Sequence, residues 1–280
     1  LLARVHSLRS GKDLRTCLSV SGPSLWVAFL WVLHPVQTES VAYICQRFES
    51  LAGLFYLLTV YGFVRAVSGS HRWYRISVLA CICGMATKET VATAPLVILL
   101  LDGAVLSVSW REALRRNWRL HAGYVLTWGV LAVLWFGTMA EGIRAGEYGA
   151  AVLSPWRYWL TQNAVVVHYL RLALFPVGLC FDYAWPWAET IKDVWPQFLT
   201  LVLLGLGTAV AVKRRYHVGV CCAAFLLLLA PTSTVIPLYD AAAEHRMYLP
   251  LTGILCAVVF TVWRVAAGHG AKAGAKSGFP

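Results

Sequence analysis

The chain has 280 residues, of which 59% are hydrophobic and only 13% are charged. Soluble domains carry about 25% charged residues, so this composition excludes a soluble enzyme. A membrane β-barrel is disfavoured, because the apolar residues form long unbroken runs instead of alternating with polar ones. The chain has 24 Lys and Arg against 13 Asp and Glu, a formal net charge of +11. Three explanations are open: binding to nucleic acid, binding to anionic lipid, or a bias of basic residues set by membrane topology.

Apolar runs recur along the whole chain, and several are shorter than the roughly 20 residues that a perpendicular membrane helix needs. In chain order they cover residues 19–33, 51–67, 76–101, 120–140, 155–176, 198–212, 217–231 and 248–265. This series predicts an all-α polytopic membrane protein that crosses the bilayer several times.

Basic residues cluster in five separate connections, at residues 4–15, 72–75, 111–119, 213–215 and 264–276. The positive-inside rule places these connections in the cytoplasm, and it places the loops that hold most of the acidic residues outside. Because the basic residues form no single stripe, a nucleic-acid partner is not expected. The predicted partner is the lipid bilayer.

Two runs fit this alternation only with irregularities. The run 76–101 has basic residues on both flanks, so we expect it to cross twice, as two short helices that meet outside at Thr87-Lys88-Glu89. The helix 155–176 should have both ends outside. One of its faces carries polar side chains that suit an interface or a wet cavity: Arg157, Thr161, His168 and Arg171. An ordinary span with a reversed loop assignment is the alternative.

The segment 110–119 reads as a cytoplasmic interfacial helix that anchors the chain. Its tryptophans lie on one face and its arginines on the next, where they would meet lipid phosphates. The short segment 1–18 before the first run is predicted to be a basic cytoplasmic segment. Residues 19–265 are predicted to form the multi-spanning domain, and residues 266–280 a flexible Gly/Ala/Lys tail or linker.

Four predicted outer segments, 34–50, 87–90, 181–187 and 243–250, carry ionisable and aromatic residues at helix ends. Ionisable groups at membrane depth are costly, so they indicate a functional site. Simpler interpretations exist: Lys88 could pair with Glu89, His34 could cap a helix before Pro35, and Asp182 could belong to an aromatic belt. Glu244-His245-Arg246 is the hardest segment to explain in this way, since at least one of three consecutive side chains should point inward.

Basic groups at the outer face suit a phosphate on a lipid carrier, because arginine and lysine bind phosphate oxygens strongly. Aromatic rings beside acids suit sugar stacking and hydroxyl hydrogen bonds. The constellation therefore favours transfer of a sugar from a polyprenyl-phosphate carrier.

Four stretches of the chain carry a family resemblance: HPVQTESVAYICQRFESLAGLFYLL, ATKETVATAPLVILLLD, YLRLALFPVGLCFDYAWP and AEHRMYLPLTG. In this order they resemble the membrane domain of the transmembrane and tetratricopeptide-repeat-containing family, O-mannosyltransferase-like members of the GT-C glycosyltransferase superfamily. The match runs from about residue 34 to residue 265. It implies a GT-C-like transmembrane helical bundle with short and re-entrant or interfacial helices.

The resemblance implies an inverting transfer of a sugar, typically mannose, from a polyprenyl-phosphate donor to a hydroxyl of an acceptor protein on the extracytoplasmic side. The membrane would be a bacterial inner membrane or that of the endoplasmic reticulum. No metal ligand is assigned, and a divalent cation is left open. An aspartate general base is expected upstream of Leu1, so the chain alone is expected to be inactive in a transferase assay.

Ten residues of this chain are the candidate site. Contacts to the carrier phosphate are expected from Lys88, His245 and Arg246. The sugar or acceptor pocket is expected to include His34, Glu39, Arg47, Glu49, Asp182, Tyr183 and Glu244. The competing classes are another GT-C transferase, a transporter or flippase of lipid-linked sugars, and a non-catalytic membrane scaffold.

Overall fold

The computed structural model describes residues 22–70, 72–145, 154–234, 238 and 240–276, and the predicted basic segment 1–18 lies outside them. All regular secondary structure in these ranges is helical, which confirms the all-α prediction. The helices are α1 Gly22–Leu33, α2 Thr38–Ala42, α3 Arg47–Val67, α4 Arg72–Thr87, α5 Ala94–Leu101, α6 Trp110–Ala145, α7 Pro155–Leu174, α8 Ile191–Lys213, α9 His217–Leu229 and α10 Pro250–Lys276.

Three helical segments of the described ranges are long and apolar enough to cross a membrane: Ile44–Val67, Glu89–Leu106 and Ile191–Lys213. Shorter apolar helices cover Gly22–Leu33, His217–Leu229 and Pro250–Ala266. Large apolar side chains such as Leu203 and Leu206 of α8 are exposed. A continuous exposed apolar surface of this kind needs lipid around it, so the chain is a membrane protein.

The run 76–101 divides where the sequence predicts. Helix α4 ends at Thr87, Lys88 is extended, and a tight helical turn over Glu89–Thr93 leads into α5. Pro95 sits in the first turn of α5, where its missing N–H costs no helical hydrogen bond. The break is therefore confirmed, while the double crossing stays a prediction.

Two predicted boundaries differ from the structure. The interfacial helix 110–119 and the span 120–140 form one element, α6, with a kink at Asn117 (φ −109°, ψ 20°). Trp110 and Trp118 are exposed, as an interfacial helix requires. Helix α10 continues to Lys276, so much of the predicted flexible tail is helical.

Small residues allow the helices to approach closely. A Cβ on Gly62 of α3 would lie 2.7 Å from the Ser77 side chain of α4, and one on Gly253 of α10 would lie 2.8 Å from the Cys221 carbonyl of α9. Tyr56 and Phe63 fill the core beside the first contact. Membrane helices associate through this kind of close packing, because apolar burial drives little association in lipid.

One end of the bundle, called the inner end here, holds the α3–α4, α5–α6 and α8–α9 connections. Asp102 is fully buried there, and its carboxylate accepts hydrogen bonds from Ser107 (2.8 Å) and Asn117 (2.9 Å) and contacts His121 Nε2 at 2.9 Å. Arg215 donates to the Gly103 carbonyl at 2.7 Å. These bonds join the α5–α6 and α8–α9 connections to each other and to α6, and they hold the kink of α6.

We expect Gly219→Ala to destabilise the protein, because the added Cβ would lie 2.6 Å from the Ala211 backbone of α8. The cost should be about 1–3 kcal/mol, a typical price of overpacking. Gly205→Ala is the matched control: a Cβ there meets nothing within 4 Å, so it should be neutral or slightly stabilising. Thermal unfolding in detergent measures both, and an equal loss in the two variants would contradict this packing.

Candidate functional site

The opposite end of the bundle, the outer end, is where α1, α4 and α9 end and where α3 and α10 begin. Here the end of α1 and the segment after it bind the segment before α10. The Trp31 indole donates to the Tyr248 carbonyl at 2.7 Å, and the Gln37 amide donates to the same oxygen at 3.3 Å. Ser40 donates to the His245 carbonyl at 3.4 Å. The two predicted outer segments that are farthest apart in sequence therefore meet.

Glu39 makes the strongest link between these segments. One carboxylate oxygen accepts the backbone N–H of His245 at 2.8 Å, and the other lies 2.6 Å from its ring Nδ1. Burial disfavours the charged carboxylate, but the hydrogen bonds and charge of His245 outweigh it and lower the pKa of Glu39. Glu39 is therefore held as an anion that fixes the orientation of the imidazole.

Lys88 forms an ion pair with Glu49 of α3. The Glu49 side chain is only 4% exposed and that of Lys88 15%. A pairing of Lys88 with its neighbour Glu89, the simpler interpretation of the sequence, is wrong. Ser50, next to Glu49, donates to the carbonyl of Ser40, next to Glu39, at 3.2 Å, so this ion pair and the Glu39–His245 contact belong to one cluster.

Glu244 ties a fourth outer segment, the loop with Tyr183, to this cluster. Its carboxylate accepts the Cys180 N–H at 2.7 Å and the Tyr183 hydroxyl at 2.6 Å. Burial and the Glu244 carboxylate both raise the pKa of Tyr183, since neither favours a phenolate. Asp182 is exposed and accepts the Ala184 N–H at 3.0 Å, which shapes the loop locally.

Arg246 is buried, and its guanidinium donates to the carbonyls of Asp240 (2.7 Å) and Ala241 (3.1 Å). The side chain points inward, as the sequence predicts for one member of its triplet, and it orders the loop that precedes it. His34 caps the turn over Pro35–Gln37 through its Nδ1, which accepts the Val36 N–H at 3.3 Å. Arg47 is exposed.

The polar face of α7 packs against the loop 181–189. Arg157 pairs with Glu189 at 3.0 Å, Thr161 accepts the Ala188 N–H at 2.9 Å, and the His168 ring contacts Tyr183 and Trp185. Arg171 of the same face is exposed.

Two tyrosines of α7, one near each end of the helix, donate hydrogen bonds to segments of the outer end. Tyr158 donates to the Thr232 carbonyl at 2.5 Å, and Tyr169 to the Ala243 carbonyl at 2.9 Å. This pattern fits a helix with both ends outside, which stays a prediction. No group of three His, Cys, Asp or Glu that could hold a metal ion occurs within the described residues.

Comparison with curated proteins gives relatives over most of the chain. The protein O-mannosyl-transferase F38B6.6 of Caenorhabditis elegans is 24% identical over 262 residues, covering 89% of this chain and 36% of that protein. The protein O-mannosyl-transferase tmtc2 of Xenopus laevis is 24% identical, covering 75% and 29%. The protein O-mannosyl-transferase TMTC4 of Mus musculus is 26% identical, covering 90% and 40%.

The chain is thus similar, at 24–26% identity, to protein O-mannosyl-transferases that include tmtc2 and TMTC4. The resemblance of the sequence motifs is thereby confirmed at the level of curated homologues. The chain spans about a third of the length of these relatives. No protein-family model matches the chain, and no solved structure matches it.

Two features of the structure were not predicted from the sequence. The cluster around Asp102 was not predicted, although an Asp at the end of an apolar run followed by Asn117 and His121 is a signal that could have found it. The role of Glu244 as an acceptor for Tyr183 was not predicted either, because 61 residues separate the partners.

We expect Lys88→Met to destabilise the protein by about 3–5 kcal/mol, because it leaves the Glu49 carboxylate buried without its partner. The double variant Glu49→Gln/Lys88→Met should recover a large part of that loss. Arg157→Met is the control, since it breaks an exposed ion pair and should cost at most about 1 kcal/mol. Unfolding in detergent measures all three, and a double variant no more stable than Lys88→Met would contradict the buried pair.

The Glu39–His245 contact should give the protein an acid sensitivity. Because folding lowers the pKa of Glu39, its anion contributes stability above the pKa of the unfolded chain, and this contribution is lost as pH falls through the folded pKa. The stability advantage of the native chain over Glu39→Gln should therefore shrink as the pH falls from 6 to about 3. Melting temperatures across this range measure it. The control Glu189→Gln, at an exposed site, should show little such change, and a constant Glu39→Gln deficit would disprove the linkage.

Proposed function

We propose that this chain is part of a glycosyltransferase that transfers mannose from a polyprenyl-phosphate carrier to a protein hydroxyl on the extracytoplasmic side of a membrane. The names of the relatives support mannosyl transfer to protein. The observation that carries the proposal for this chain is the cluster of buried charges at the outer end, built from three separate segments. Helices that only face lipid do not need charged side chains. Burying such side chains costs free energy, so their presence indicates a function.

Lys88 is the proposed main contact for the carrier phosphate. Its ammonium has three donors, and the ion pair with Glu49 uses one of them. The other two can bind phosphate oxygens in the break between α4 and α5. The sugar–phosphate bond breaks with negative charge accumulating on the phosphate, so a fixed cation there stabilises the transition state more than the ground state.

His245 and Arg246 are proposed to support the same phosphate. With Nδ1–H directed to Glu39, a protonated His245 ring has Nε2–H left to donate. The Arg246 guanidinium uses two of its nitrogens on loop carbonyls and adds positive charge behind the site. Glu39, Glu49 and Glu244 then act by positioning His245, Lys88 and Tyr183.

Asp182 and Tyr183 are proposed to meet the sugar or the acceptor. Tyr183 is fixed through its hydroxyl by Glu244, while Asp182 is exposed next to it. A carboxylate can accept sugar hydroxyl groups, and a fixed ring can stack on a sugar face. His34 and Arg47 would shape the rim of this pocket.

The test is transfer of labelled mannose from polyprenyl-phosphate mannose to an acceptor protein by the full-length protein that contains this chain. Lys88→Gln keeps a donor for Glu49 but removes the charge, and we expect it to lower turnover about 10²- to 10³-fold, as for loss of one transition-state donor. The matched control is Lys192→Gln, an exposed lysine at the start of α8, which should transfer at the normal rate.

Mass analysis of the acceptor separates this function from its competitors. Covalent mannose on the acceptor that depends on Lys88 is the expected result. Movement of the lipid-linked sugar across vesicles without any glycosylated product would indicate a transporter. Normal turnover of a folded Lys88→Gln variant would overturn the proposed phosphate role.

A further inference from the structure

A cavity of about 510 Å³ lies between the first half of α7, the loop 183–188 and the first turn of α8. Tyr183, Trp185 and Trp187 form its aromatic walls, and Thr161 and Asp193 are among its polar lining residues. It shares only Tyr183 with the candidate site described above. The buried cluster around Lys88 does not line it, so a separate explanation of its chemistry is needed.

The three aromatic rings contact their ring neighbours at an angle, and His168 contacts both Tyr183 and Trp185. Tyr183 and Trp185 lie 6.0 Å apart at 56°, and Trp187 contacts Tyr158 at 6.2 Å, so none of them is stacked closely on another. His168 meets Trp185 edge-on. The Tyr183 hydroxyl is held by Glu244, which fixes the ring without using its face. Fixed, half-buried rings of this kind form a preorganised wall.

The charge around the cavity is negative. Asp193 lines it directly, and Asp182 and Glu189 lie in the adjoining loop, with Lys192 as the one basic residue between positions 182 and 193. Arg157 faces this region from α7, but it is paired with Glu189. A cation entering the cavity would thus meet ring faces and a carboxylate, in a chain whose overall charge is +11.

We propose that this cavity binds a quaternary ammonium group. The face of an aromatic ring attracts a cation through its quadrupole, and aromatic cages recognise choline-type groups in this way. A quaternary ammonium group has no N–H, so it needs no hydrogen-bond acceptors, and a wall of rings with one carboxylate satisfies it. The source is either the headgroup of a choline lipid or a free choline-type solute, which share this chemistry.

The test compares choline with 3,3-dimethyl-1-butanol, a neutral molecule of the same shape, on the chain purified in a maltoside detergent. Saturation-transfer NMR of the methyl protons and isothermal titration measure binding. Choline should bind at least about fivefold more tightly than the alcohol, because only the cation gains the electrostatic attraction of the rings. Equal binding of the two would overturn the proposal.

Variants locate the binding in this cavity. Trp185→Ala and Trp187→Ala should each weaken choline binding at least about fivefold, while Trp187→Phe should keep most of it. Trp195→Ala is the matched control, an exposed tryptophan of α8 outside the lining, and should change nothing. Circular dichroism checks that each variant is folded, and unchanged binding in folded Trp185→Ala and Trp187→Ala variants would refute the site.

Vesicles distinguish the two sources. If the ligand is a lipid headgroup, free choline should give a Trp187-dependent signal in phosphatidylglycerol vesicles but not in phosphatidylcholine vesicles, where lipid fills the cavity. A free solute should give the signal in both, and either result supports a quaternary ammonium site. Absence of the signal in both would contradict it. Binding here does not depend on mannosyl transfer, so it can fail while the proposed transferase stands.

Discussion

A buried charge in a membrane protein requires a partner, because neither lipid nor the apolar interior replaces the water that it loses. This requirement holds the segments at the outer end of the molecule together. Glu39 holds His245, Glu49 holds Lys88, and Glu244 holds the loop that carries Tyr183. Removing one partner would leave an uncompensated charge or acceptor, so the four segments must come together for any of them to be stable. The arrangement that stabilises the fold is therefore the same one that gathers the candidate site.

The rest of the architecture follows from this constraint. The inner end is closed by its own buried carboxylate, Asp102, so the helices are fixed at both ends while their sides stay apolar for lipid. The polar face of helix α7 is covered by an aromatic loop and its tyrosines bond to segments of the outer end, which fits the prediction that both ends of α7 lie outside. That loop also encloses the cavity that we assign to a quaternary ammonium group. Charge pairing and aromatic packing thus give the outer end two neighbouring proposed sites.

Much of this could be predicted from the sequence, for identifiable reasons. A Lys-Glu pair inside an apolar run cannot lie in lipid, so the break at Lys88 was predictable, and so was an inward-pointing member of the triplet before α10. The partners were not, because Glu39 and His245 lie 206 residues apart and Glu49 and Lys88 39 apart. Pairing at such distances is a property of helix packing. The bend at Asn117 was not predictable for the same reason. The sequence pattern indicates two helices there, but the structure has one bent helix, in which the Asn117 side chain donates to the buried Asp102.

The central claim is that all these charged segments lie on one face of the membrane, with both ends of α7 among them. Impermeant maleimide labelling of single cysteines, in sealed vesicles and a cysteine-free background, tests it most directly. Ser154→Cys and Asp182→Cys, in the exposed segments that flank α7, should react from the same side. Arg115→Cys on α6 should react only from the other. Labelling of Ser154→Cys and Asp182→Cys from opposite sides would show that α7 crosses the membrane and would contradict the account.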